Sequence, residues 1–164
     1  MKPTDWQGSA LISPCGQYRY RLRRTGLSTG SKRVLFVMLN PSTADASVDD
    51  PTIRRCIGFA RSFGCERLDV VNLFAWRATD PSELRRVRDP IGPENDAHIR
   101  EAGEQADLIV CAWGANDFVL PRLRGVLDIL PRPLHCLGVT KHCAPRHPLY
   151  VPAAAQPIVW KAER

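Results

Sequence analysis

Two patterns of apolar residues predict β-strands. From Tyr18 to Arg23, aromatic or apolar residues alternate with arginine, which is the period of a half-buried strand. This alternation predicts that Arg19, Arg21 and Arg23 lie on the solvent-facing side of an N-terminal antiparallel strand at the edge of a sheet, where charge discourages pairing between edges. A continuous apolar run at residues 34–39 predicts a central strand that is covered on both faces, and mainly apolar segments at 68–73, 107–113 and, more briefly, 134–137 predict further strands.

Helical patterns lie between these strands. Asp50 followed by Pro51 is typical of a helix start, and apolar residues at helical spacing continue to Phe63 before Gly64 ends the helix. Further helices are predicted over about 94–105 and 117–130. Alternating strands and helices predict a single α/β domain over residues 1–164, with its core at about 18–160. We expect three α/β/α layers, a mainly parallel central sheet and the antiparallel N-terminal edge strand.

Charge is unevenly distributed along the chain. The 164 residues carry a formal net charge of +6, and 44% are hydrophobic, which excludes a disordered or fibrous protein. Residues 1–40 contain seven Lys or Arg and one Asp, whereas residues 41–164 contain sixteen charges of each sign. The excess positive charge lies before most of the loops considered below. It is therefore weak support for nucleic-acid binding by those loops.

Other features bear on compartment and cofactors. No apolar run has the length of a signal peptide or a membrane span, so we expect a cytoplasmic protein with no membrane partner. The six cysteines form no Cys-x-x-Cys pair and are expected to be reduced thiols. His135, Cys136, His142, Cys143 and His147 lack the paired spacing of zinc ligands. We therefore predict neither a metal nor a cofactor.

Chemically useful side chains follow the predicted parallel strands. Because ligands of open α/β sheets bind beyond the carboxyl ends of the strands, these loops define the candidate site. The amides of Asn40 and Asn72 can hold a water or read a base edge, and the indole of Trp76 can stack on a base. The remaining candidates are hydroxyls that can bind phosphate, a carboxylate that can position water, and basic groups that can contact an anion: Ser42, Thr43, Asp45, Lys141, Arg146 and His147.

Each of these residues also has a purely structural interpretation. Asn40 to Thr43 can form an Asx or Ser/Thr turn that ends the strand. Asp45 can be a solvated loop residue, and Asp50 is most simply a helix cap. Asn72 and Trp76 can satisfy loop backbone and cover the core, and Lys141 and Arg146 can belong to a solvated loop.

Four segments resemble a bacterial and phage family that is known as a domain of unknown function. They are Met38–Ala44 (MLNPSTA), Asp50–Arg55 (DPTIRR), Val71–Arg77 (VNLFAWR) and Pro145–Tyr150 (PRHPLY). At greater distance, a strand ending in an Asn-Pro loop, a middle strand ending in Asn and a late His-Pro loop resemble the uracil-DNA glycosylase superfamily. This resemblance implies a uracil-DNA-glycosylase-like fold.

The same resemblance implies roles for individual residues. Asn40 would hold the attacking water, Asn72 would pair with an extruded base, and His147 would contact the leaving base or a phosphate. Leu149 would be the wedge that enters the duplex, which offsets part of the energy needed to extrude a base. The cysteine spacing of the iron–sulfur members is absent from this chain.

The leading hypothesis is recognition of a nucleobase or nucleotide, with hydrolysis or transfer at an N-glycosidic bond as the reaction class. One alternative is a binding module for nucleic acid or nucleotides without catalysis. A second alternative is an enzyme that acts on a small phosphorylated metabolite.

Overall fold

The structure is a computed structural model that describes residues 6–162. Its strands are β1 (Trp6–Ile12), β2 (Arg19–Gly26), β3 (Arg33–Met38), β4 (Arg67–Asn72), β5 (Leu108–Cys111), β6 (His135–Cys136) and β7 (Ile158–Val159). Its α-helices are α1 (Pro51–Ser62), α2 (Asn95–Gln105) and α3 (Leu120–Ile129), and short 3-10 turns cover Pro81–Arg86, Asp117–Val119 and Pro148–Tyr150. None of these helices is long and apolar enough to cross a membrane.

Within the described residues, the strands form one mixed sheet in the order β1-β2-β4-β3-β5-β6-β7. The central strands β4, β3, β5 and β6 are parallel, whereas β1, β2 and β7 are antiparallel to their neighbours. The mainly apolar segments of β3, β4 and β5 are buried, as the sequence predicts for central strands. A mixed α/β sheet with parallel central strands is therefore confirmed.

Two apolar cores lie on opposite faces of the sheet. On one face, Phe36 of β3 and Val70 of β4 pack against α1 through Ile53 and other residues. On the other face, Leu35 and Val71 belong to a core that includes residues of α2 and α3. The molecule therefore has three layers, with α1 on one side and α2 and α3 on the other.

The start of α1 follows the sequence prediction. Asp50 Oδ1 accepts a hydrogen bond from the Ile53 N–H at 2.9 Å, and Pro51 occupies the first turn. The chain leaves the helix through Gly64, whose φ of +70° is disfavoured for residues that carry a Cβ. The Asp50 carboxylate is consequently part of the helix cap.

The prediction of an edge strand needs a correction. The predicted strand at 18–23 exists as β2, but β1 pairs with it over Trp6–Ile12 and forms the edge instead. Strand β1 alternates weakly, because most of its side chains are exposed and Gly8 and Ser9 interrupt its apolar residues. This weak alternation is why the sequence pattern did not reveal the strand.

The prediction of three solvent-facing arginines is also wrong. Arg19 and Arg21 are buried, and Arg23 is half-buried. The register between β1 and β2 shifts by one residue, because Leu11 pairs with Arg21 whereas Ile12 pairs with Arg19. The extra residue, Tyr20, forms a β-bulge, and bulges redirect the side chains that flank them.

The bulge places the arginines on different faces of the sheet. Arg21 and Arg23 bind Asp69 of β4, and Arg21 also donates to Gln105 of α2. Arg19 instead donates to the Ala44 carbonyl oxygen in the loop after β3. The bulge thus brings one arginine to the carboxyl end of the parallel strands.

The connections from neighbouring strands β3 and β5 run to opposite layers. Strand β3 leads to α1, and β5 leads through a 3-10 turn to α3 on the other face. Such a switch point leaves a crevice between the two loops, which is where open α/β sheets bind ligands. The candidate site lies there.

Candidate functional site

A cavity of about 650 Å³ opens at the carboxyl ends of β3, β4 and β5. Six of the residues that sequence analysis proposes border it: Asn40, Ser42, Asn72, Arg146, His147 and Leu149. They come from three separate segments of the chain, which the fold brings together. Arg19, Asp50, Thr52, Thr79, Trp113, Asn116 and Thr140 also border the cavity.

Asn40 joins two loops at the side of this cavity. Its Nδ2 donates to the carbonyl oxygens of Pro41 at 3.1 Å and Ala78 at 2.8 Å. The Oδ1 accepts no hydrogen bond from the described residues, so this oxygen remains for a water or ligand donor. The Asn40 side chain therefore forms structural hydrogen bonds through Nδ2 and keeps Oδ1 as an acceptor for a ligand.

Asn72 ends β4 and is 1% exposed. Its Oδ1 accepts a hydrogen bond from Nη2 of Arg19 at 3.4 Å, and its backbone oxygen accepts from Nδ2 of Asn95 at 2.9 Å. Nε of Arg122 donates to the next backbone oxygen, that of Leu73, at 2.8 Å. These bonds fix the end of β4. The amide nitrogen of Asn72 is then the group of this side chain that can donate hydrogen bonds to a ligand.

Arg19 is the site residue that sequence reasoning placed on the wrong surface. It is 2% exposed, and its Nη1 donates to the Ala44 carbonyl oxygen at 3.1 Å. Burial lowers the pKa of its guanidinium to about 10, and the nearby Asp50 carboxylate partly opposes that shift. The side chain is still a cation at neutral pH.

His147 is another residue that borders the cavity, and a hydrogen bond holds its ring. Its Nδ1 accepts a hydrogen bond from the Leu149 N–H at 3.2 Å, so the neutral ring carries its proton on Nε2. Burial lowers the pKa of His147, while Asp50 acts in the opposite direction. A neutral imidazole with a defined donor can bind the oxygen or nitrogen of a leaving group.

The loop that carries His147 is fixed from two sides. Arg55 of α1 donates to the carbonyl oxygen of Pro148 at 3.2 Å and to that of Val151. On the other side, the Gly114 N–H donates to the carbonyl oxygen of Pro145 at 2.8 Å. Gly114 has a φ of +76°, a backbone conformation that favours glycine.

Basic and apolar side chains form the outer part of the site. Arg146 is exposed, and its Nε donates to the Val139 carbonyl oxygen at 2.9 Å. Leu149 is 44% exposed and Tyr150 is 77% exposed. Both apolar groups therefore lie at the mouth of the cavity, where a partner can contact them.

The other proposed residues do not border the cavity. Oδ1 of Asp45 accepts from the N–H groups of Ser47 and Val48, both at 2.9 Å, and these bonds lower the pKa of the carboxyl. Trp76 packs edge-on against Tyr18, with ring centroids 5.5 Å apart. Thr43 and Lys141 are exposed away from the lining.

The His and Cys residues at 135–147 form no metal centre. Across residues 6–162, no group of three or more His, Cys, Asp or Glu side chains is arranged to hold a metal ion. Cys136 is buried in the core, and burial raises the pKa of its thiol. These His and Cys residues, which are close together in the sequence, therefore have different surroundings in the fold.

Comparison with known proteins gives a family. The model of a family described as a protein of unknown function (DUF1643) matches residues 19–149 of the chain. The chain belongs to this family. No match was found among curated proteins or among solved structures.

The DUF1643 region contains every cavity-lining residue except Tyr150. It begins at Arg19 and ends at Leu149, so it includes every residue that sequence analysis proposed. It leaves out β1 and β7, which flank the sheet at its two edges. The cavity is consequently formed by the family region together with Tyr150, and the described chain extends beyond that region on both sides.

Proposed function

We propose that the cavity binds a nucleobase or nucleotide, and that the reaction it supports is cleavage or transfer at an N-glycosidic bond. The observation that carries the proposal is the convergence of Asn40, Asn72 and His147 on one cavity. In this proposal Asn72 reads the base edge, Asn40 orients a water, and His147 binds the departing base. The distant resemblance to uracil-DNA glycosylases supports the same assignment.

The cavity provides polar groups suited to this chemistry. N-glycosidic cleavage develops positive charge on the sugar and negative charge on the base, and fixed donors beside the base stabilise the latter. His147 supplies a ring N–H, and Asn72 supplies amide donors. Leu149 and Tyr150 at the mouth are available to contact the bases of a polymer, whereas Arg146 is available to a phosphate.

The test of activity uses oligonucleotides that carry uracil, other altered bases or normal bases, with abasic sites as the product measured. We expect product from the wild type, loss of product in Asn40→Ala, and retention in Ser47→Ala. Ser47 is an exposed residue of the same loop that does not border the cavity. Abasic sites at equal levels in wild type and Asn40→Ala would contradict a catalytic role.

Calorimetric binding of nucleosides and nucleotides tests recognition separately. Asn72→Ala should weaken the binding of a nucleoside by roughly two- to tenfold, because one amide–base hydrogen bond contributes about 0.5–1.5 kcal/mol. Binding without any abasic product would favour the non-catalytic module. Affinity for a polymer should fall steeply with salt, whereas affinity for a small ligand should change little.

A further inference from the structure

Arg19 differs from the other buried arginines in its lack of a carboxylate partner. Arg21 lies 2.5 Å from Asp69, Arg24 lies 2.8 Å from Asp49, and Arg122 lies 2.5 Å from Asp96. Among residues 6–162, no carboxylate forms an ion pair with Arg19, although the side chain is equally buried. One buried cation is therefore left without a carboxylate in ion-pair contact.

The hydrogen bonds of Arg19 do not replace that counter-charge. Its two hydrogen-bond acceptors are the backbone oxygen of Ala44 and the side-chain amide oxygen of Asn72, and both are neutral. Its Nε is buried and has no hydrogen-bond partner in the described part of the chain. Burying a charged group is unfavourable unless it is paired and hydrogen-bonded, so this arrangement is incomplete.

The nearby carboxylate of Asp50 is not an ion-pair partner of Arg19. It caps α1 by accepting the Ile53 N–H, and it lies outside ion-pair distance of Arg19. The other charged group that borders the cavity is Arg146, and His147 is the titratable neighbour. With His147 neutral, two guanidinium groups face one carboxylate, which leaves the cavity positive.

The hydroxyl groups around the cavity indicate the class of anion. Ser42, Thr52, Thr79 and Thr140 border it together with Arg19. Hydroxyl donors combined with a guanidinium suit a group with several acceptor oxygens, and arginine matches phosphate geometry well.

We propose that the ligand of this cavity carries a phosphate group, and that Arg19 supplies the buried positive charge that binds it. This inference rests on the proposed function in that it concerns the same cavity. The β-bulge at Tyr20 gives it a structural basis, because without the extra residue Arg19 would continue the alternation of Arg21 and Arg23 on the other face. The phosphate can belong to a nucleotide or to a smaller phosphorylated metabolite.

Calorimetry with four kinds of probe tests this inference: ribonucleosides, their 5′-monophosphates, ribose 5-phosphate and inorganic phosphate. We expect each monophosphate to bind the wild type about tenfold or more tightly than its nucleoside, the factor that a charge-assisted hydrogen bond provides. Arg19→Gln should abolish the difference. Arg23→Gln is the matched control, because it removes the same charge from the same strand but faces Asp69.

The outcomes separate this inference from the proposed function. Equal affinity for nucleosides and monophosphates would overturn the role of Arg19 while leaving nucleobase recognition intact. Ribose 5-phosphate binding as tightly as the monophosphates, with dependence on Arg19, would support the inference and contradict nucleobase recognition. Failure of every phosphate-bearing probe to bind would overturn the inference. Should Arg19→Gln not fold, the wild-type series alone decides.

Discussion

Substitution of Asp69 by asparagine tests the charge cluster that supports the sheet beside the site. Asp69 is fully buried in β4 and binds three arginines: Arg21 at 2.5 Å, and Arg23 and Arg33 at 3.1 Å. Asp69→Asn keeps the shape of the side chain and removes the only negative charge among these partners. Arg21, which is 4% exposed, would then be an unpaired buried cation.

The expected loss of stability is large. Breaking a buried ion pair by removing one partner destabilises a protein by about 3–5 kcal/mol, and Arg21 and Asp69 meet the burial condition. For a domain of this size, that change corresponds to a fall in Tm of roughly 6–20 °C. Since domains have a free energy of unfolding of about 5–15 kcal/mol, the variant should be close to the limit of folding.

Asp117→Asn provides the matched control. Asp117 lies 2.5 Å from Arg85, the same separation as between Asp69 and Arg21, but the two side chains are 85% and 57% exposed. An exposed pair contributes about 0–1 kcal/mol, so this variant should unfold almost as the wild type does. Urea and thermal unfolding of both variants would measure the difference. A loss below about 1 kcal/mol in Asp69→Asn would refute the reasoning, because burial would then have no effect.

Two further predictions concern the loops at the cavity. Gly114→Ala should destabilise the protein by about 1–2 kcal/mol, because Gly114 has a left-handed backbone conformation, and it should also weaken ligand binding. Gly64→Ala, at a position with φ of +70°, should reduce stability in urea unfolding without affecting ligand binding. Because the pKa of His147 is lower in the folded protein than in the unfolded chain, the unfolded chain binds a proton more readily as the pH falls. The free energy of unfolding should therefore fall as pH drops below about 6.5, and His147→Asn should remove that part of the pH dependence.

Local sequence signals were sufficient for the centre of the fold. The segments of β3, β4 and β5 are mostly apolar on both faces, with Asp69 and Asn72 as polar exceptions in β4, and such segments are typical of strands covered by helices. Asp50 and Pro51 mark the start of α1 because a cap depends on neighbouring residues alone. Where the information was local, prediction and structure agree.

The outer strand and the position of Arg19 depend on contacts between distant segments. The phase of an alternating strand changes when one extra residue enters its pairing, and that residue is defined by the partner strand β1. Nothing within Tyr18–Arg23 identifies Tyr20 as the bulge. An arginine that the pattern assigned to solvent therefore borders the cavity, while Asp45 and Trp76, which lie in the predicted loops, serve turns and packing.

If the protein cleaves an N-glycosidic bond, the geometry favours departure of the base ahead of attack by water. His147 offers no free ring nitrogen as a base, because Nδ1 accepts from the Leu149 N–H, and the Asp50 carboxylate is engaged through Oδ1 as the cap of α1. Asn40 can orient a water but cannot remove its proton. Catalysis would then depend on stabilising the negative charge of the departing base.

This order of events predicts a particular kinetic response. On this mechanism the Nε2–H donor of His147 stabilises the departing base, so the wild-type rate should depend weakly on the acidity of that base. In His147→Asn the rate should fall most for the least acidic leaving bases, which steepens the dependence. Single-turnover rates over a series of substituted uracils measure both slopes. Parallel slopes would place the His147 donor away from the departing base and contradict this role.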